Sequence, residues 1–233
     1  MKKLLLFDID GTILNMKMGV SKNIFIDTFF DVYGYTLTLE QMPRFSGNTD
    51  LQIHNQMADA LDLDRRIIAE KVDDFWDLKL ERFKQYCTSE YINLIPGVDS
   101  LLESLKSNDD YELSLVTGNS KKNAFQKLSS YELGRFFSDG AFGCDNSNRN
   151  LLPPLAVGRV NIRVGDSLFS SRNTVIIGDT DSDILAAKTN NMKVITIAKT
   201  EEFAKFQEQK TDSIMTDFSN IDFFYNEMDR ISN

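Results

Sequence analysis

The chain has 233 residues, 42% of them hydrophobic and 26% charged, the balance of a globular protein rather than a disordered one. Its 26 Lys and Arg stand against 35 Asp and Glu, a net charge of −9 with no basic tract, which excludes nucleic acid and anionic membrane as general partners. Cys87 and Cys144 are too few and too far apart for a disulfide framework or a zinc cluster. Both are expected as buried small hydrophobes in a reducing compartment.

The chain opens on Met1-Lys2-Lys3 and an apolar run from Leu4 to Phe7, which Asp8 ends after four residues. That is short of the roughly 7–15 residues of a signal-peptide core. No later stretch approaches the ~18 apolar residues of a membrane span, so a soluble, cytoplasmic chain is expected. Leu4 to Phe7 reads as a strand buried on both faces, running into the turn Asp8-Ile9-Asp10-Gly11-Thr12.

From about Asn15 to Ile95 there is no convincing strand. Helical patterns cover Ser21 to Tyr33, Asp50 to Leu61 and Arg65 to Tyr86. In the last, Ile68, Val72, Phe75, Lys79 and Phe83 form a mostly apolar stripe at helical spacing. Phe29, Phe30, Phe75, Trp76 and Phe83 are expected to make the core of this segment, and His54 to be an ordinary helix residue.

After Pro96-Gly97 strands and helices alternate. The strands are Glu112 to Val116, Ala141-Phe142, Thr174 to Ile177 and Lys193 to Ala198. The helices are Val98 to Lys106, Lys121 to Leu133, Pro154 to Val160, Asp183 to Thr189 and Ile221 to Met228. This rhythm predicts an α/β fold, a doubly wound, mostly parallel sheet. The expected division is a core of residues 1–14 and 96–233 with an inserted helical cap of residues 15–95.

The strongest strands all release polar residues at their carboxyl ends, the edge where ligands sit in open α/β sheets. Asp8 and Asp10 follow the first strand, Thr117-Gly118-Asn119-Ser120 the second, and Gly178-Asp179 through Asp183 the third. Each alone is ordinary turn or helix-start chemistry. Together they gather four carboxylates, Asp8, Asp10, Asp179 and Asp183. Such repulsion is tolerated around a hard cation, and all-oxygen ligation favours Mg²⁺ over zinc.

These residues resemble the haloacid dehalogenase superfamily in its phosphatase branch, across essentially the whole chain. Asp8-Ile9-Asp10-Gly11-Thr12 is similar to the family's first motif, Thr117 to its second, and Gly178-Asp179-x-x-x-Asp183 to its fourth. The helical insertion resembles the cap of phosphoglycolate-phosphatase-like members. For the third motif, a cation, the segment Arg149 to Pro154 occupies the slot, with Arg163 and Arg172 as alternatives.

The resemblance implies a Mg²⁺-dependent phosphatase acting on a small phosphorylated metabolite. Asp8 would attack phosphorus to give an aspartyl-phosphate, and Asp10 would serve as acid and then base. Asp8, Asp179 and the Asp10 carbonyl would hold Mg²⁺, with Asp183 ligating or orienting a bound water. Thr117 and backbone N–H groups near Gly118-Asn119, at a helix start, would cradle phosphoryl oxygens, and Arg149 would neutralise charge on the phosphoryl group and nucleophile. Arg44 or Asn48, in the cap turn Arg44 to Asp50, would meet the leaving group.

Three other readings compete. A phosphosugar mutase of the same superfamily would carry a His about ten residues after the acid, where this chain reads Met16-Lys17-Met18-Gly19-Val20. A receiver-like phosphoacceptor would lack the cap, and a non-catalytic metabolite-binding protein would keep the fold without turnover. The implied partner is a small phosphate ester, and the chain is compatible with a monomer.

Overall fold

A computed structural model describes residues 1–232. The first strand, β1 (Lys3–Phe7), leads into the acidic turn, and β2 (Leu14–Met16) carries the chain out of the core. Helices α1 (Val20–Tyr33), α2 (Asp50–Ala60) and α3 (Arg65–Lys84) follow, and β3 (Ile92–Leu94) brings it back. The remainder alternates: α4 (Val98–Lys106), β4 (Tyr111–Thr117), α5 (Lys121–Ser129), β5 (Gly140–Phe142) and α6 (Leu152–Val164), then β6 (Thr174–Gly178) and α7 (Asp181–Thr189). Last come β7 (Lys193–Ile197), α8 (Phe203–Glu208), β8 (Ser213–Met215) and α9 (Ile221–Ser232).

Six strands form one parallel sheet in the order β5-β4-β1-β6-β7-β8. The α/β architecture with a helical cap is therefore as the sequence rhythm predicts. Side chains alternate across a strand, so β1 feeds two cores. Leu5 and Phe7 join α4, α5 and α9 on one face, while Leu4 and Leu6 join α6 and α7 on the other. Both layers are dry, which explains why β1 reads as a continuous apolar run.

The cap has a third apolar cluster of its own, with Phe25, Phe29, Ile53, Met57 and Phe75 at its centre. His54 is fully buried here, beside Phe29, Phe75 and Trp76, and pairs with the Tyr33 hydroxyl through Nε2 at 2.9 Å. Two of the aromatics expected in this core lie elsewhere. Phe30 is half exposed on the outer face of α1, and Phe83, at the end of α3, packs into the sheet-side cluster.

Other boundaries differ for local reasons. β2 and β3 form a two-stranded antiparallel ribbon where no strand was expected, because three residues are too short to show a period. The helix from Lys121 stops at Ser129, and Glu132 beyond it takes a left-handed backbone (φ 56°) before a short 3₁₀ turn. Helix α6 begins earlier than Pro154, since prolines fit the first turn where no N–H partner exists, and ends at Gly165 with φ 74°. Cys87 is buried as expected, but Cys144 is exposed in the loop after β5.

Burial pushes the His54 imidazole from its ordinary 6.5 down to about 4, the nearby Lys79 charge adding to the effect. A base that is neutral in the fold takes up a proton on unfolding below pH 6.5. Its contribution is full above 6.5 and is lost as the pH falls towards 4, reaching about 3 kcal/mol. Raised carboxylates titrate in the same window with the opposite sign, so the His54 contribution is read as a difference. In urea denaturation the stability of the native protein minus that of His54→Phe should fall by about 3 kcal/mol between pH 7 and pH 4.

Candidate active site

The register of the sheet builds the site. Phe7, the last residue of β1, stands opposite Leu115 on one side and Ile177 on the other, while β4 runs two residues further, to Thr117, and β6 one, to Gly178. Asp8 just past β1, Thr117 at the end of β4 and Asp179 just past β6 are thereby delivered to one edge. Gly11 makes the turn after Asp10 possible: its φ is 81°, and a Cβ there would overlap the Asp179 carboxylate.

Asp8, Asp179 and Asp183 offer oxygens that all lie within 4.8 Å of one another. Arg149, in a 3₁₀ turn ahead of α6, is wedged among them. Its Nη2 donates to Asp8 Oδ2 at 2.8 Å and to Asp183 Oδ1 at 2.5 Å, with all three side chains buried. Burial opposes the guanidinium charge, but Asp183 and Asp8 hold it firmly protonated. Asp183 also accepts from the Thr180 N–H and hydroxyl through Oδ2, closing a capping box at the start of α7.

Crowding and burial raise proton affinity at this edge. Burial lifts Asp8 to about 6, Asp183 and Asp10 adding to the rise while Arg149 and a Thr117 hydrogen bond oppose it. Asp179 is lifted well above the usual carboxylate range by burial, then by Asp183 and Asp8. Its Oδ1 is buried with no hydrogen-bond partner. With this orphaned buried oxygen, the three carboxylates could hold a metal ion, and an all-oxygen donor set is of the kind that fits Mg²⁺.

The fourth carboxylate sits apart. Asp10 accepts from Lys127 Nζ at 2.7 and 2.6 Å and from Asn119 Nδ2 at 2.7 Å. The Asn119 side chain is committed to Asp10, Lys127 and Thr117, and its N–H, expected at a phosphoryl oxygen, donates to Thr117 Oγ1 at 3.3 Å, while Thr117 lies fully buried below. Of the two alternative cations, Arg163 pairs with Glu112, and Arg172 lies just before β6, at the opposite edge of the sheet.

The cap closes over this edge. α2 presents its unpaired N-terminal amides to the core: Asp50 N–H reaches Gly118 O at 2.7 Å and Leu51 N–H reaches Gly143 O at 3.3 Å. The Thr49 hydroxyl donates to Ser147 O at 3.1 Å. Gly118 is required here, because a Cβ would overlap the Asn48 carbonyl. Asp50 accepts from the Ser120 N–H at 2.8 Å and pairs with Lys79 at 2.8 Å, both side chains nearly inaccessible. Burial disfavours the Asp50 carboxylate, but Lys79 and the Ser120 N–H hold its pKa below the ordinary value.

Between cap and core lies a pocket of about 600 Å³, walled by Asp8, Asp10 and Thr117 on one side and Phe45, Asn48 and Phe83 on the other. Arg44 is exposed and does not line it. It faces a smaller cleft of about 230 Å³ that adjoins the site at Asp179, with Lys199 and Lys205. Lys127 and Lys79 were not singled out as site residues. Their signal was a lysine on an apolar stripe, Lys79 between Phe75 and Phe83 and Lys127 between Ala124 and Leu128; their partners lie far off in sequence.

Residues 5–197 match the family model described as haloacid dehalogenase-like hydrolase. The chain belongs to that family. Similar solved structures include beta-phosphoglucomutase from Clostridium difficile, with 17% identity, 99% of this chain and 98% of that one covered, and a TM-score of 0.73. CbbY from Rhodobacter sphaeroides, in complex with phosphate, shares 20% identity over 95% of this chain and 96% of its own, TM-score 0.69. A predicted phosphoglycolate phosphatase from Haemophilus somnus shares 21% over 96% and 98%, TM-score 0.66. Comparison with curated protein sequences finds no significant match.

Removing the Lys79 charge strands a buried carboxylate. Lys79→Met should cost about 3–5 kcal/mol of stability, and adding Asp50→Asn, which keeps the acceptor for Ser120, should recover most of it. Urea unfolding of both single variants and the double variant measures the coupling.

Proposed function

We propose that this protein is a Mg²⁺-dependent phosphatase that hydrolyses the phosphate monoester of a small metabolite through an aspartyl-phosphate on Asp8. The observation that carries the reading is the convergence of Asp8, Asp179 and Asp183 around an unpartnered carboxylate oxygen, under a closed cap. The division of labour follows the chemistry of each group. Arg149, already against Asp8, is placed to neutralise charge on a phosphoryl group arriving there. Since the Asn119 and Ser120 N–H groups are taken by Thr117 Oγ1 and Asp50, the donors we assign to phosphoryl oxygens are the Thr117 hydroxyl and the Gly118 N–H on the pocket wall.

Asp8 attacks phosphorus in line, and the pocket side of Asp10, its carboxyl group 43% exposed, faces the space for the leaving group. Asp10 gives its proton to the leaving oxygen and then takes one from the water that cleaves the acyl phosphate. Asp8 and Asp179 would hold Mg²⁺ with the Asp10 carbonyl, and Asp183 would orient its surroundings; when bound, the ion screens the carboxylates and neutralises phosphoryl charge. The cap excludes water and, with Phe45, Asn48 and Phe83, bounds the leaving group. Arg44 would contact a leaving group only through the side cleft.

A small substrate is supported by the pocket's size and by CbbY, whose structures hold phosphate and xylulose-(1,5)bisphosphate. A phosphosugar mutase is the competing reading, supported by the beta-phosphoglucomutase likeness. Against it, His54, the one histidine of the chain, lies in the cap core and away from Asp10. The absence of a receiver's compact form and the presence of the acid Asp10 speak against a phosphoacceptor. In the cell, a cytoplasmic metabolite pool is the setting we propose; no helix of the described residues is long and apolar enough to cross a membrane.

Phosphate release from p-nitrophenyl phosphate and a panel of sugar and glycerol phosphates tests the reading. Activity should require Mg²⁺, vanish with a chelator, and fall at least about a thousandfold in Asp8→Asn. Isomerised sugar phosphate in place of free phosphate would decide for the mutase. Independently of turnover, Mg²⁺ should raise the Tm of the native protein and leave that of Asp179→Asn unchanged.

A further inference from the structure

Lys127 is a buried cation to which the proposed reaction assigns nothing. It lies on the core-facing side of α5, its side chain 4% exposed. An ammonium has three protons to donate, and all three have acceptors here: Asp10 Oδ1 at 2.7 Å, Asp10 Oδ2 at 2.6 Å and Asn119 Oδ1 at 2.8 Å. Asn119 closes a ring by donating from Nδ2 to Asp10 Oδ2 at 2.7 Å and to Thr117 Oγ1 at 2.9 Å. The Phe83 ring of the cap covers the ammonium, 5.4 Å from centroid to Nζ.

The arrangement is lopsided in a telling way. Desolvating a lysine is expensive, whereas the carboxyl group it serves is 43% open to the pocket and water could solvate it. Lys127 is therefore not needed to make Asp10 tolerable. What it adds is orientation: both oxygens of Asp10 are gripped from below, with Asn119 as a third contact. A general acid must sit within hydrogen-bond reach of the oxygen it protonates, and a displacement of about 1 Å costs on the order of a hundredfold.

We infer that Lys127, with Asn119, is a positioning residue that aims the Asp10 carboxyl group at the leaving-group oxygen. This rests on the phosphatase reading of Asp8 and Asp10. Asp10 first takes a proton from pocket water on Oδ1, the oxygen with the single Lys127 contact; as the P–O bond breaks its electron pair stays on the ester oxygen, that proton passes from Asp10 Oδ1 to it, and the carboxylate left behind regains both contacts to the ammonium. A lysine that merely bound the phosphoryl group, or merely held the cap seam, would act on every ester alike. One that aims the acid matters only where the leaving oxygen needs a proton.

The test compares kcat/KM, which reads the steps up to leaving-group departure, for glycerol 2-phosphate and for p-nitrophenyl phosphate, whose phenolate leaves unprotonated. Lys127→Met should lose about a hundredfold on the first and less than about fivefold on the second. Lys127→Arg should restore most of the loss, and Asp10→Asn with Lys127→Met should be no slower than Asp10→Asn alone. Should Lys127→Met lack a cooperative unfolding transition, Lys127→Gln, which keeps a donor, should show the same ester preference at about tenfold. Equal losses on the two esters, or additive losses in the double variant, would overturn the inference while leaving the phosphatase reading intact. A native protein that releases phosphate from neither ester would overturn both.

Discussion

The structure is organised around one electrostatic problem: carboxylates forced together at the carboxyl edge of a parallel sheet. Asp8, Asp179 and Asp183 come from two strand ends and a helix start, and burial removes the water that would screen them. Arg149 resolves part of the conflict by bridging Asp8 and Asp183. The remainder is stored, visible as an unpaired Asp179 oxygen and as raised proton affinity at Asp8 and Asp179. A fold optimised for stability would not keep this arrangement. It persists because the sheet on either side is apolar enough to carry it, and its three carboxylates could hold a metal ion.

The same logic of paired charges extends into the cap. Asp50 and Lys79 belong to cap helices, Lys127 and Asp10 to the core, and the two pairs lie side by side at the seam. Around them, backbone amides of α2 are satisfied by carbonyls of the core loops at Gly118 and Gly143. Closure of the cap thus combines directed hydrogen bonds with an apolar contact, Ile24 and Phe83 packing into the sheet-side cluster. The cap's own apolar cluster is separate from these contacts.

How far the sequence could be read follows from the range of each interaction. The acidic turn at Asp8-Asp10, the Thr117 strand end and the Asp179–Asp183 segment were legible because each is a local pattern, an apolar strand released into polar residues. Arg149 was legible only through resemblance, since an arginine in a polar loop has no local mark. Arg44 was misplaced by a few residues of loop geometry: the turn docks through Asn48 and Asp50, which carries Arg44 into the neighbouring cleft. Lys79 lay in plain view on an apolar stripe, but the carboxylate that makes it tolerable sits on another helix.

By itself the sequence determined the longer strands, most of the helices and the class of fold, because periodicity and turn chemistry act over a few residues and leave their imprint in order along the chain; the three-residue strands β2, β3 and β8 and the short α8 left none. It also determined that carboxylates would stand at strand ends. Which of them meet, which is held apart on Lys127, and which cation stands between the rest were decided only in three dimensions. Charge interactions are fixed by a few ångströms of separation and by how much water is excluded, and both exist only once the sheet has set its register and the cap has closed over it.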